Sequence, residues 1–192
     1  MANSVDRIQN VRSNNLLIAE DGGNQKRLQN LLFETAVRYA TANKHVIFVT
    51  EKPIDSVSPE VFSNYSTIYK KIIFIYSKSA EAVLLKLNDI KGWNFTPSLV
   101  IVESIQNLLR GASSSGEDLH YAYSVFLASV LDTICFFSQK QCDRSQCIIT
   151  VGRDVIDSGS VVVEPFFKQS NLVHGNDINL CSDVLDMLRE CC

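Results

Sequence analysis

Short apolar runs alternate with helical patterns along the whole chain. The runs are LLIA (16–19), VIFVT (46–50), IIFIY (72–76), LVIVE (99–103), CIITV (147–151) and SVVVEPFF (160–167). Their length and their β-branched residues predict strands. Between them the apolar spacing changes to that of helices. One is predicted from Gln25 to about Thr41, with Leu28, Leu31, Leu32, Ala36, Val37 and Ala40 on one face. A second spans Ala80 to Ile90, with Ala80, Val83, Leu84, Leu87 and Ile90 in helical register, and the longest runs from about Asp118 to Lys140. Strands built of unbroken Val, Ile and Leu are buried on both faces, so the pattern predicts an α/β fold: a mostly parallel sheet with helices on both faces. The Gly- and Ser-rich stretch RGASSSGEDLH (110–120) and the arm up to about Asn15 are the expected flexible points.

Composition narrows this to one domain, residues 16–192, preceded by an arm, 1–15. The 192 residues are 46% hydrophobic and 20% charged, enough to build a sizeable core. A net charge of −3 gives no overall attraction for nucleic acid, so any such binding needs a local patch. No unbroken apolar run approaches the roughly 20 residues that span a bilayer, and MANSVDRIQNVRSNN has no apolar signal core, so a soluble intracellular chain with no membrane partner is expected. Six cysteines fall in the last third: Cys135, Cys142, Cys147, Cys181, Cys191 and Cys192. Their spacing matches no paired metal-ligand pattern, and His45, His120 and His174 are dispersed. Free thiols and no metal site are therefore expected, with Cys135 and Cys147 in the core.

The stretch LLIAEDGGNQKRLQNLLFETAVRYA (16–40) has the outline of a phosphate-binding loop: apolar strand, glycine turn, helix. Such a loop needs glycines for close backbone approach, a lysine for the phosphates and a hydroxyl for magnesium. With Lys26 placed on the motif lysine, the first glycine is replaced by Glu20, the second by Gln25, and the hydroxyl residue by Arg27. Glu20 brings a negative charge, Gln25 adds a Cβ, and Arg27 cannot ligate a cation. Gly22 and Gly23 still permit a tight turn, and the helix start keeps free N–H groups. Gly22, Gly23, Lys26 and Glu103 thus form a degenerate nucleotide site. The simpler reading, favoured over a working nucleotide site, is that EDGGNQ is a polar turn with Lys26 a solvated first-turn residue.

Ligands of parallel sheets sit beyond the carboxyl ends of the strands. Two acids occur there. Glu103 closes PSLVIVE, where a P-loop ATPase places its magnesium-shell aspartate, and Glu51 follows VIFVT, where recombinase-like ATPases place the glutamate that activates water. Both also suit a structural role, and a Lys26–Glu103 ion pair would replace a lost nucleotide. The expectation is no catalytic residue, no significant hydrolysis and no cofactor, ATP being the one candidate.

The order LLIAEDGGNQKR, HVIFVTEKPIDS, KKIIFIYSKSAEAVLLKL, TPSLVIVESIQNLL and YAYSVFLASVLDTICFFSQK…CIITV resembles the small RecA-type recombinase paralogue of the animal Shu complex. The likeness covers about residues 16–151. Its most telling pieces are Thr50 and Pro53 after the second strand, PSLVIVE in the Walker B place, and LASVLDT in the long helix. The resemblance implies a RecA-like P-loop core, a nuclear SWIM-domain zinc protein as partner, and assistance to the strand-exchange recombinase on single-stranded DNA in homologous recombination, DNA repair and meiosis. Two rivals stand beside it: a DNA-stimulated ATPase using Lys26, Glu51 and Glu103, and a structural RecA-like subunit of another assembly such as Elongator.

RecA-type proteins contact DNA through the loops here at 104–120 and 152–160. The first holds Arg110 and His120 beside Glu117 and Asp118; the second holds Arg153 beside Asp154 and Asp157. Neither is a basic funnel with stacking aromatics, so single-stranded DNA is expected to bind weakly or only within a complex. Val5, Ile8 and Val11 in the arm, and Ile178, Cys181, Val184, Leu185 and Leu188 near the end, have helical spacing. They suit a partner surface, or equally a cap on the sheet within the monomer.

Overall fold

The computed structural model describes residues 15–54, 66–110, 116–140, 144–159, 163 and 165–190. Six parallel strands form one sheet: β1 (Asn15–Glu20), β2 (Val46–Thr50), β3 (Ile72–Tyr76), β4 (Leu99–Val102), β5 (Gln146–Gly152) and β6 (Leu172–His174), in the order β3-β2-β4-β5-β1-β6. The helices are α1 (Gln25–Thr41), α2 (Ser66–Tyr69), α3 (Ala80–Ile90), α4 (Ile105–Leu109), α5 (Gly116–Lys140), α6 (Arg153–Asp157) and α7 (Cys181–Glu190).

Because side chains alternate across a strand, each strand feeds two cores. Leu16, Ile18, Val46, Phe48, Leu99, Ile101 and Ile148 pack on one face under α1, α2 and α7. Leu17, Ile47, Val49, Val100, Val102 and Ile149 pack on the other under α3, α4 and α5. Complete burial of β1, β2, β4 and β5 explains their unbroken apolar sequences.

Local signals set the helix ends. The α1 terminus is closed by Asn43 at φ 65°, with Asn43 N donating to Ala40 O and Lys44 N to Tyr39 O, the paired bonds of a left-handed C-terminal cap. Ser79, in extended conformation, caps α3 by accepting from Ala82 N at 3.4 Å. Asp183 reaches back from the first turn of α7 to accept from Asn179 N and Leu180 N, both at 2.9 Å. These bonds hold the Asp183 carboxyl below its usual range.

The structure bears on several expectations. Most of the 160–167 run lies outside the described residues, and Pro165–Phe167 form turns rather than a strand. Of its described residues, Phe167 is buried in the α5-side core, and Val163 and Phe166 are half-buried against it. The sixth strand is the three-residue β6 at the sheet edge beside β1. β1 begins at Asn15. The Leu119–Lys140 part of α5 is long and apolar enough to cross a membrane by length and composition alone. Its apolar residues are interrupted by Ser124, Ser129, Asp132 and Thr133, so no unbroken run marks it. Its Tyr123, Phe126, Leu127, Val130, Ile134 and Phe137 are buried against the sheet.

Of the two readings of the 178–188 stripe, the structure favours the cap within the monomer. Ile178, Val184 and Leu188 are at most 1% exposed and belong to the α1-side core, so this helix face is covered within the monomer. Gln146 Nε2 donates to Leu188 O at 2.9 Å and fastens α7 to β5. Val5, Ile8 and Val11 lie outside the described residues. Cys147 and Cys181 are buried, Cys135 is half-buried, and all three are free thiols; burial pushes the Cys147 thiol up.

Candidate functional site

The two-residue period of the strands places Glu20, Thr50, Glu103 and Thr150 on the α1 face, one at the carboxyl end of each of β1, β2, β4 and β5. They form a polar row where the apolar core stops. Across the sheet β1 and β4 are separated by β5 alone, which puts the two glutamates roughly 10 Å apart at their backbones. Gln25 and Gln29, one helical turn apart on α1, point down onto this row. Gln25 Nε2 donates to Ser104 Oγ at 3.0 Å, and Gln29 Nε2 donates to Glu103 Oε2 at 2.9 Å.

Glu20 is the centre of the network. Only 7% exposed, its carboxylate accepts from Ser104 Oγ, from Thr150 Oγ1 and, at 3.3 Å, from Gln106 Nε2. Thr150 Oγ1 in turn accepts from Ser104 N at 2.8 Å, and Gly152 N donates to Gln106 Oε1 at 3.0 Å. Ser104 sits at φ 51°, a left-handed backbone uncommon for a residue with a Cβ. Bonds to its N–H and its hydroxyl hold it there.

Glu103 is 6% exposed. Burial holds its carboxyl above the usual range and the neighbouring Glu20 charge adds to this, while hydrogen bonds with Thr50 and Gln29 oppose it. No ion pair joins Lys26 to Glu103 among the described residues, so the salt bridge expected from sequence is not formed. The amide of Gln29 takes that place.

The connection from β1 to α1 is a tight turn, with Asn24 N donating to Asp21 O at 3.0 Å. Neighbours fix it from outside: Asn24 Nδ2 donates to Asn176 Oδ1 at 2.6 Å, Asn176 donates to Asp21, and Arg153 pairs with Asp21 at 3.4 Å. Gly22 and Gly23 are exposed, neither has positive φ, and a Cβ on either would meet nothing within 4 Å. Neither their backbone nor their surroundings require glycine. Arg27, in the place of a magnesium-binding hydroxyl, donates to Ile178 O at 2.7 Å and Asn179 Oδ1 at 3.0 Å. It anchors the segment leading into α7.

Beyond the polar row lies an open cleft of about 420 Å³ between α1, the β2 end and α4. It brings together Lys26, Glu51 and Glu103, three of the residues singled out in the sequence; Gly22 and Gly23 stay outside. Glu51 is 4.0 Å from Lys78 Nζ. Sequence reasoning missed Thr50, Ser104 and Thr150 as a set, although each lies at or just past a strand's carboxyl end. It also missed Lys52 at the rim and assigned Arg110, which lines the cleft, to a DNA loop. Arg153, the other arginine of those loops, is engaged by Asp21 and by Asp157 at 3.4 Å.

These residues do not fit magnesium-ATP. A phosphate cradle needs a loop whose backbone N–H groups close around an anion, with a hydroxyl beside it for magnesium; here the first loop position carries the buried Glu20 carboxylate and the hydroxyl position carries Arg27. Among the described residues, no group of three or more His, Cys, Asp or Glu is placed to hold a metal ion. Comparison with models of known protein families gives no match for this chain, and comparison with curated proteins gives none either.

Proposed function

We propose that this chain is a non-hydrolysing RecA-like subunit, a pseudo-ATPase that pairs with a SWIM-domain zinc protein and promotes assembly of the strand-exchange recombinase on single-stranded DNA during homologous recombination in the nucleus. The resemblance of order and spacing over residues 16–151 supports the family and the partners. The six-stranded parallel sheet with helices on both faces agrees with it at the level of architecture.

One observation carries the non-hydrolysing part: the Glu20 carboxylate is bonded to Ser104, Thr150 and Gln106 at the strand ends, where a nucleotide loop would bind phosphate. A DNA-stimulated ATPase would have to release Glu20, undo the Gln25–Ser104 and Gln29–Glu103 bonds, and find another magnesium ligand in place of Arg27.

The test of partnership is purification of the tagged full chain from cells of its source. A SWIM-domain zinc protein and the strand-exchange recombinase are expected in the eluate. Recovery instead of a ring of RecA-like subunits without either protein would overturn the reading in favour of an Elongator-type assembly.

A further inference from the structure

Lys26, Lys52 and Arg110 are exposed side chains around one cleft, and none is in an ion pair among the described residues. Two acids share the same cleft. Glu51 faces Lys78 at 4.0 Å, and Glu103 is buried under Gln29. The three cations outnumber the two acids, one of which is paired outside them with Lys78, so the cleft presents surplus positive charge over a floor of Glu103 and the hydroxyls and amides of Thr50, Ser104 and Asn107. We propose that this cleft is a docking site for an acidic peptide segment of a partner protein, its carboxylates received by Lys26, Lys52 and Arg110.

The chemistry favours a peptide over the other anions. No aromatic side chain lines the cleft among the described residues, so a base has no ring to stack on. A continuous phosphodiester chain would also run past Glu51, whereas a peptide can space its acids to avoid it. Arg110 offers a planar fork suited to a carboxylate. Asn107 presents an amide able to both donate to and accept from an extended backbone. Glu20 holds the inner donors, which confines the ligand to the outer, open part of the cleft.

The inference rests on the reading that the cleft no longer serves a nucleotide, and one experiment separates the two. The full chain is titrated, with anisotropy as readout, against a fluorescein-labelled Ser-Glu-Asp repeat peptide, an uncharged Ser-Gln-Asn repeat, an oligothymidine of the same net charge, and labelled magnesium-ATP. The expected result is saturable binding of the acidic peptide alone, lost when salt is raised to about 1 M. Binding should weaken about tenfold or more in Lys26→Ser/Lys52→Ser/Arg110→Ser, since three exposed charge pairs are removed. A control with the same charge change outside the cleft, Lys44→Ser/Lys86→Ser/Lys168→Ser, should retain wild-type affinity. Equal loss in the control, or tighter binding of oligothymidine than of peptide, overturns the docking site. Binding of neither peptide nor ATP overturns the docking site alone, and magnesium-ATP that displaces the peptide overturns both readings.

Discussion

Ser104 Oγ lies 2.9 Å from Oε2 of Glu20 and 3.0 Å from Oε1, so the residue after the β4 acid is bonded to the residue ending β1. The contact crosses β5, whose Thr150 bonds to both residues. Three strand ends are thereby tied by one buried carboxylate.

Restoring the first glycine of a nucleotide loop should therefore weaken the fold without creating a nucleotide site. Glu20→Gly deprives Ser104 and Thr150 of their acceptor, at about 1–3 kcal/mol for each buried hydroxyl left unmatched, less where water fills the space. A Tm lower by roughly 4–10 °C is expected, with no gain in magnesium-ATP binding. A variant as stable as the wild type that acquires nucleotide binding would show that Glu20 only blocks a cradle otherwise intact.

Glu103 makes stability depend on pH. Its carboxyl titrates above the usual range when folded, because burial disfavours the charge. The unfolded chain then loses its proton first, so stability is full below the ordinary carboxyl value and falls as pH rises through the window up to the raised folded value. Glu103→Gln keeps an amide carbonyl for Gln29 and removes the titration. Chemical denaturation should show it more stable than wild type above the window and closer to wild type below it. A wild-type advantage at neutral pH would contradict the assigned direction.

Arg27→Ala should loosen the chain's end and leave the cleft unchanged. The lost bonds to Ile178 O and Asn179 contribute roughly 1–2 kcal/mol, at the lower side for a charged donor because the site is partly exposed. Faster hydrogen exchange of residues 178–188, with exchange in α3 unaltered, is the expected signature.

Acidic substitutions on the α7 face act on folding. Val184 and Leu188 are 0% and 1% exposed under α1. Val184→Asp or Leu188→Asp buries an unpaired charge and should destabilise the chain by more than about 3 kcal/mol. Circular dichroism would record loss of structure; a well-folded Leu188→Asp variant that fails only to bind a partner would restore this face as an interface.

Much of this architecture was legible from local chemistry. The unbroken β-branched runs located five strands, and apolar spacing located α1, α3 and α5, because buried strands and amphipathic helices impose opposite periods. β6 was not legible: three edge residues, two half-buried and one exposed, carry too little pattern. SVVVEPFF lies mostly outside the described residues; its described end is a turn, where Pro165 removes a backbone donor. At the site, Lys26, Glu51 and Glu103 were found by their positions after strands. The engagement of Glu20 with Ser104 and Thr150 was not, since it joins residues 84 and 130 positions apart. Its one sequence signal was an acid on the core-facing side of the last β1 position.

The most direct measurement is a titration of the full chain with magnesium-ATP, followed by calorimetry and repeated on Lys26→Ala. With Glu20 holding the donors at the strand ends, no saturable binding is expected up to about 1 mM ligand, an affinity weaker than about −4 kcal/mol, and Lys26→Ala should give the same trace. Saturable, magnesium-dependent binding at micromolar ATP that disappears in Lys26→Ala would contradict the account.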